Sequence, residues 1–210
     1  MKPKSIILLS GGLDSTVSAT IAVKKTKPLF ALTIDYGQRA AKMEIFASRK
    51  ICKFLKIKHR VIKLPFFKEF KRCALIGRPV KTGHKKFLSI KDVWVPNRNG
   101  LFINIAASFA DYYGADLIVT GFNREEAREF PDNTIKFLKI INKDLALSTL
   151  KRVKIISYVA DYTKKEIYQK GLKIDAPLEY VYPCYLGYER MCGRCASCQR
   201  FLRAKITGAS

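Results

Sequence analysis

Two groups of residues carry chemistry in their spacing. The first is Ser10-Gly11-Gly12-Leu13-Asp14-Ser15-Thr16, which follows the apolar run Ile6-Ile7-Leu8-Leu9 and leads into a helix-like stretch at 17–25. Adjacent glycines let the backbone turn sharply and approach a ligand with no Cβ in the way. The hydroxyls of Ser10, Ser15 and Thr16 converge with the free N–H groups and positive dipole end of a helix N-terminus. A phosphate or pyrophosphate is the expected ligand; a tight strand-to-helix turn capped by Asp14 and Ser15 is the plainer reading. The second group is Cys184, Cys192, Cys195 and Cys198, spaced C-x7-C-x2-C-x2-C. Each x2 spacing brings two thiolates to one metal, and four close a tetrahedral zinc shell. Gly193 permits the turn between ligands. An iron–sulfur cluster is the rival, although the x3-C-P continuation of a ferredoxin pattern is missing.

These groups need a frame. Strand-like runs at 5–10, 29–36, 60–64, 117–120 and 153–158 alternate with stretches at 42–55 and 102–113 that carry apolar residues at helical spacing. Thr163-Lys164-Lys165-Glu166 is a capping box opening a helix that runs to about Gly171, its expected C-cap. The alternation predicts an α/β fold with a doubly wound, mostly parallel five-stranded sheet. Ligands on such sheets bind at the carboxyl ends of the strands, where the glycine turn lies. Residues 65–96, with Pro79, Gly83 and Trp94, interrupt the rhythm as an insert that either folds over the loop or is an irregular structural element. The expected organisation is a nucleotide-binding domain at 1–175 and a C-terminal zinc-binding helical segment at 176–210.

The 210 residues include 40 Lys+Arg against 17 Asp+Glu, a formal charge of +23. That field favours polyanions and suits weak nucleic-acid binding; a solvated, lysine-rich surface is the plainer alternative. No run approaches the ~20 apolar residues of a membrane span, and the first apolar run is too short for a signal peptide. A cytoplasmic protein is expected, where a disulfide framework is unfavoured. Cys52 and Cys73 read as packed side chains. With only His59 and His84, no Ser-His-Asp or Cys-His arrangement is apparent.

The loop is neither a Walker A loop nor a G-x-G-x-x-G turn. Ser-Gly-Gly-x-Asp-Ser after the first strand resembles the PP-loop of N-type ATP pyrophosphatases. At greater length the chain resembles the 7-cyano-7-deazaguanine synthase family, in SGGLDST at 10–16, LTIDYGQRA at 32–40, VPNRNGLFINIAASFADYYGA at 95–115, VTGFN at 119–123, TKKEI at 163–167 and PCYLGYERMCGRCASCQRFLRA at 183–204. The resemblance implies an ATP-dependent ligase that converts 7-carboxy-7-deazaguanine and ammonia to the nitrile through an acyl-adenylate and an amide. AMP and pyrophosphate would leave, and the product would serve queuosine and archaeosine formation in tRNA. ATP, Mg²⁺ and Zn²⁺ are implied as cofactors, and a homodimer is expected.

Carried over residue by residue, Leu9, Ser10, Gly11, Gly12, Leu13, Asp14, Ser15 and Thr16 would hold the pyrophosphate of ATP with Mg²⁺. Asp14, Ser15 and Lys164 are the catalytic candidates; a solvated first-turn lysine is the alternative for Lys164. Asp35, Tyr36, Gln38 and Arg39 would shape the nucleotide site, unless Asp35 caps its turn. Arg98 and Asn99 would contact ATP or substrate, unless Asn99 caps a helix. Gly121 would lie at the ATP edge of the sheet, and Asn123 would touch the substrate. The resemblance breaks at 126–134, where the family carries a pattern like D-x-S-G-Y-P-D-C-R. Pro131 and Asp132 are kept, Phe130 replaces tyrosine, and Glu126 takes the place of the aspartate. Glu126, Phe130 and Asp132 are therefore the expected substrate pocket, capped by the zinc segment, with Phe130 either stacking on the heterocycle or filling core. A diverged PP-loop enzyme that adenylates another carboxylate or a tRNA base, of the thiolating or lysidine type, or a non-catalytic zinc-stapled nucleotide-binding module, is the alternative.

Overall fold

The computed structural model describes residues 1–70, 73–76 and 90–208. Five strands, β1 (Lys4–Leu8), β2 (Lys27–Asp35), β3 (His59–Lys63), β4 (Leu117–Thr120) and β5 (Lys154–Ser157), form one sheet in the order β3-β2-β1-β4-β5. Every pairing is parallel. A parallel sheet is covered on both faces, so its strands read as continuous apolar runs. Ile6, Ile7, Ala31, Ile118 and Val119 are accordingly fully buried. The strand order reverses at β1, whose neighbours are β2 and β4. A crevice therefore opens beyond the carboxyl ends of β1 and β4, the switch point at which such sheets bind ligands.

Helices α1 (Leu13–Lys25) and α2 (Ala41–Leu55) cover one face, where Ala19, Ala22, Ile51 and Cys52 pack on Ile7 and Val119. Beyond the short α3 (Ile90–Val93), helices α4 (Arg98–Tyr113) and α5 (Ile135–Ser148) cover the other. There Ile103, Ala106, Leu138 and Leu145 meet Ile6, Leu32 and Ile118. Each fully buried Ile or Leu contributes roughly 1.5–3 kcal/mol. Helices α6 (Lys164–Lys173) and α7 (Ala196–Gly208) pack beside α1 through Val17, Ile167, Tyr168 and Phe201. The cysteine-bearing end of the chain thus packs into the same cluster as α1 and α6.

The strands lie within two or three residues of their predicted bounds. Helices α1 and α4 start earlier than predicted, at Leu13 and Arg98, because the motif residues themselves supply the first turns. Gly171 is not the C-cap of α6, which runs on to Lys173 and ends at Ile174. Its missing side chain serves packing instead, since a Cβ there would lie 3.0 Å from Val17 and from Leu178. Helix α5, capped by Thr134 Oγ1 accepting from the Phe137 N–H at 3.0 Å, was not expected. Of the predicted insert, Phe67 belongs to the core and Ile76 bridges Gln38. Residues 71–72 and 77–89, including Pro79 and Gly83, lie outside the described residues.

Candidate active site

The loop after β1 has a fixed shape. Gly11 adopts φ +78°, and a Cβ there would sit 2.9 Å from the Ala47 side chain and 3.0 Å from the Glu44 carbonyl. Only glycine is free of both penalties. Ser15 Oγ donates to the Gly12 carbonyl at 3.1 Å, lies 3.1 Å from Ser10 Oγ and accepts from the Ser10 N–H at 3.3 Å. Thr16 Oγ1 donates to the same carbonyl at 2.7 Å. Gly12, the N-cap of α1, offers no side chain to its first-turn N–H groups. An anion can therefore take them. Gly121, just past β4, presses on this turn: a Cβ would lie 2.5 Å from Ser15 N.

A second group closes the β4 side. The capping box opening α6 is formed: Thr163 Oγ1 accepts from the Glu166 N–H, and Glu166 Oε2 accepts from the Thr163 N–H at 2.7 Å. It places Lys164 at the first helical position, where its Nζ donates to Asp14 Oδ2 and, at 2.6 Å, to Glu126 Oε1. The Lys164 side chain is only 11% exposed, so the solvated-lysine reading is excluded. Burial opposes the charged amine, but the two carboxylates outweigh it and hold Lys164 above the usual lysine range. Asp14 is raised as well, but at the expense of its charged form: burial, against the attraction of Lys164 and helped by Glu126, pushes its carboxyl up to about 6. Its Oδ1 is buried and has no hydrogen-bond partner. Asn123, fully buried, accepts from the Glu125 and Glu126 N–H groups at 3.1 and 2.9 Å, and so aims Glu126 rather than lining the cavity.

The β2 side supplies a third group. Gln38 accepts from the Tyr36 N–H at 2.9 Å and donates to Glu44 Oε2 at 2.7 Å. Arg98 Nη1 donates to the Tyr36 hydroxyl and Nε to Asn99 Oδ1, both at 3.3 Å. Asn97, not Asn99, is the N-cap of α4. Asp35 Oδ1 accepts from the Gly37 N–H at 3.0 Å, which is the turn-capping role.

These groups face one cavity of about 250 Å³. Leu9, Ser10, Gly12, Leu13, Asp14 and Ser15 line it from the loop, and Gln38, Arg98 and Asn99 from the β2 side. Gly121, Glu126, Phe130 and Asp132 line it from beyond β4, together with Lys164. Gly11, Thr16, Asp35, Arg39 and Asn123 stand outside its wall. Sequence reasoning missed several lining residues: Trp94 as part of the site, and Tyr182, Tyr185, Ser197 and Phe201 from the cysteine segment. Their one signal was position, since Tyr185 and Ser197 directly neighbour Cys184 and Cys198. Trp94 and Phe130 lie nearly parallel, 6.1 Å between centroids and 6° between planes, as a flat apolar wall.

The four thiols at 184, 192, 195 and 198 have sulfur atoms within 4.8 Å of one another, a set that can hold a metal. The Cys195 and Arg194 N–H groups donate to Cys192 Sγ at 3.3 and 3.4 Å. Burial opposes its thiolate, yet these donors bring Cys192 down to about 7. Among the described residues, no helix is long and apolar enough to cross a membrane.

Known proteins resemble this chain in sequence and in fold. The family model described as Queuosine biosynthesis protein QueC matches residues 4–206. The 7-cyano-7-deazaguanine synthase of Pelotomaculum thermopropionicum is 45% identical, covering 97% of this chain and 97% of that protein. Its counterpart in Carboxydothermus hydrogenoformans is 43% identical, covering 96% and 98%. A 4-thiouridine synthetase, solved as an RNA complex with bound ATP, superposes with a TM-score of 0.59 at 17% identity over 99% of this chain and 50% of its own, a likeness of fold. By its full-length match to the family model and to these relatives, the chain belongs to the QueC family of 7-cyano-7-deazaguanine synthases.

Proposed function

We propose that the protein converts 7-carboxy-7-deazaguanine and ammonia to 7-cyano-7-deazaguanine with two ATP, releasing two AMP and two pyrophosphates. The observation that carries this reading is the buried Lys164 ammonium, held between Asp14 of the phosphate loop and Glu126 of the segment after β4. It joins the nucleotide end of the cavity to the substrate end. The substrate carboxylate attacks the α-phosphorus of ATP and pyrophosphate leaves, giving an acyl-adenylate. Ammonia adds to the acyl carbon, AMP leaves, and one proton is lost. A second attack, by the amide oxygen, expels another pyrophosphate. Loss of AMP and of the remaining nitrogen-bound protons then forms the nitrile.

The protein's share is positioning and charge stabilisation. The α1 N-terminus with Ser10 and Ser15 receives the pyrophosphate, and Lys164 offsets the negative charge growing on it. The unpartnered Asp14 Oδ1 suits Mg²⁺, which when bound shields the phosphates. The four cysteines suit a structural zinc ion, which holds Tyr185 and α7 against the cavity. A tRNA-base-activating enzyme is not favoured, because the full-length relatives carry the synthase name.

The test is incubation with ATP, Mg²⁺, ammonium and 7-carboxy-7-deazaguanine, with mass detection of amide and nitrile. AMP and pyrophosphate should appear in step with them. ADP and phosphate, or no turnover of this acid, would overturn the reading.

A further inference from the structure

The cavity holds two cationic centres, and they are not equivalent. Lys164 is matched by two carboxylates. Arg98 is not: among the described residues no carboxylate oxygen lies within 4.0 Å of its guanidinium, which donates to two neutral oxygens, the Tyr36 hydroxyl and Asn99 Oδ1. Its guanidinium also sits over the Tyr36 ring, 5.8 Å from the centroid. Sequestered charges are normally paired, so a cation that borders a cavity with no carboxylate in direct contact, Asp132 acting on it only from a distance, marks a seat for an anion.

ATP brings its own anion, yet the phosphates already have a seat. The glycine turn, the α1 N-terminus and Lys164 lie after β1, on α1 and on α6, whereas Arg98 opens α4 and bonds Tyr36, just past the end of β2. What lies beside Arg98 differs in kind. Trp94, four residues earlier in the chain, forms the flat wall with Phe130, and Asp132, two residues beyond Phe130, is a charge neighbour of the guanidinium. A flat wall next to an unmatched planar fork fits a flat heteroaromatic ring bearing a carboxylate. A guanidinium takes such a group through two parallel hydrogen bonds.

We propose that Arg98 seats the carboxylate of the deazapurine acid and fixes which of its oxygens faces the α-phosphorus. This deepens the function proposed above and rests on it. The amide formed after the first half-reaction is neutral, so the same contact discriminates between the two successive substrates.

Trp94 is the one tryptophan of the chain, and it lies on the cavity wall, so its fluorescence reports binding without turnover. The experiment titrates full-length wild type, Arg98→Gln and Arg98→Lys with 7-carboxy-7-deazaguanine and separately with its 7-carboxamide, without ATP. ATP binding is measured in parallel. The expected result is a fall in acid-over-amide preference of about tenfold or more in Arg98→Gln, the loss of a hydrogen bond to a charged group. Arg98→Lys should recover part of it, because it keeps the charge and loses the fork. If Arg98→Gln does not fold, the same preference read in Arg98→Lys decides the matter by its fall or its constancy. An unchanged preference in an enzyme that still converts the acid overturns this inference and leaves the function standing. A loss centred on ATP, equal for acid and amide, also overturns it and assigns Arg98 to the phosphates. Failure of the wild type to bind or convert the acid removes the function and this inference together.

Discussion

Arg200 grips Glu129 through both carboxylate oxygens, at 2.7 and 2.5 Å from Nη2. Arg200 lies on α7, two residues after Cys198, and Glu129 immediately precedes Phe130. The pair therefore ties the cysteine cluster to the wall of the substrate pocket. Removal of the metal with a chelator should raise KM for the deazapurine acid about tenfold or more, as loss of outer-shell support does at other metal sites. Arg200→Ala should do the same with metal still bound. Steady-state kinetics alongside elemental analysis checks both, and an unchanged KM in the stripped protein would refute the link. Elemental analysis should find about one zinc per chain. Iron, with a visible absorption band, would instead identify a cluster.

The phosphate loop gives a sharper prediction. Asp14→Ala and Ser15→Ala should each lower AMP and pyrophosphate release by about a hundredfold or more, the scale of losing a preorganised charge-stabilising group. Melting curves should show both variants folded. Near wild-type release from both would remove the loop from the chemistry.

Lys164→Ala tests the balance of charge. Removing the ammonium leaves two carboxylates facing each other, 14% and 26% exposed, without their cation. Breaking such a pair on one side costs about 3–5 kcal/mol when fully buried, and less here because Glu126 is partly solvated. Urea unfolding at neutral pH measures it. Protonating a carboxylate relieves the repulsion, so the deficit should shrink at acidic pH.

The pH dependence follows from Asp14. Its carboxyl, at about 6, is ionised above that pH and protonated below it. Activity that needs the Lys164 contact should therefore fall on the acid side with an apparent pKa near 6. For stability the sign is opposite: a raised carboxylate pKa favours the fold at low pH, and that advantage is lost as pH rises through the folded value. Glu126→Gln removes a negative neighbour that raises Asp14, so the acid limb of kcat/KM should move to lower pH. A limb that stays in place would assign it to another group.

Gly121→Ala should cost about 1–3 kcal/mol, because overpacking a tight site forces backbone shifts and Ser15 N is backbone. Thermal unfolding and pyrophosphate release should suffer together. A variant that melts like wild type would show that the turn can yield.

The parts of the site legible in the sequence are those whose chemistry is local. The glycine turn, the capping box and the cysteine spacing each declare a backbone shape or a ligand set within a few residues. What was hidden arises by tertiary juxtaposition. Trp94 and Phe130 are 36 positions apart, and no period relates them. Tyr185 looks like an ordinary aromatic between a cysteine and a leucine until the fold turns it into the cavity. Helix α5 was readable in the seven-residue spacing of Leu138 and Leu145, which the irregular Pro131–Asn133 turn just before it obscures. Gly171 misled because a glycine near a helix end usually marks its stop, and here it makes room for Val17.

Strand β1 is paired on both sides, to β2 and to β4. Side chains alternate between faces, so a slip of one residue would exchange Ile6 with Ile7 and break both ladders at once. The loop that follows β1 thus has one address in the molecule and no graded series of near misses. Damage to the sheet far from the cavity should lower the number of working molecules in a preparation, while each survivor turns over at full speed.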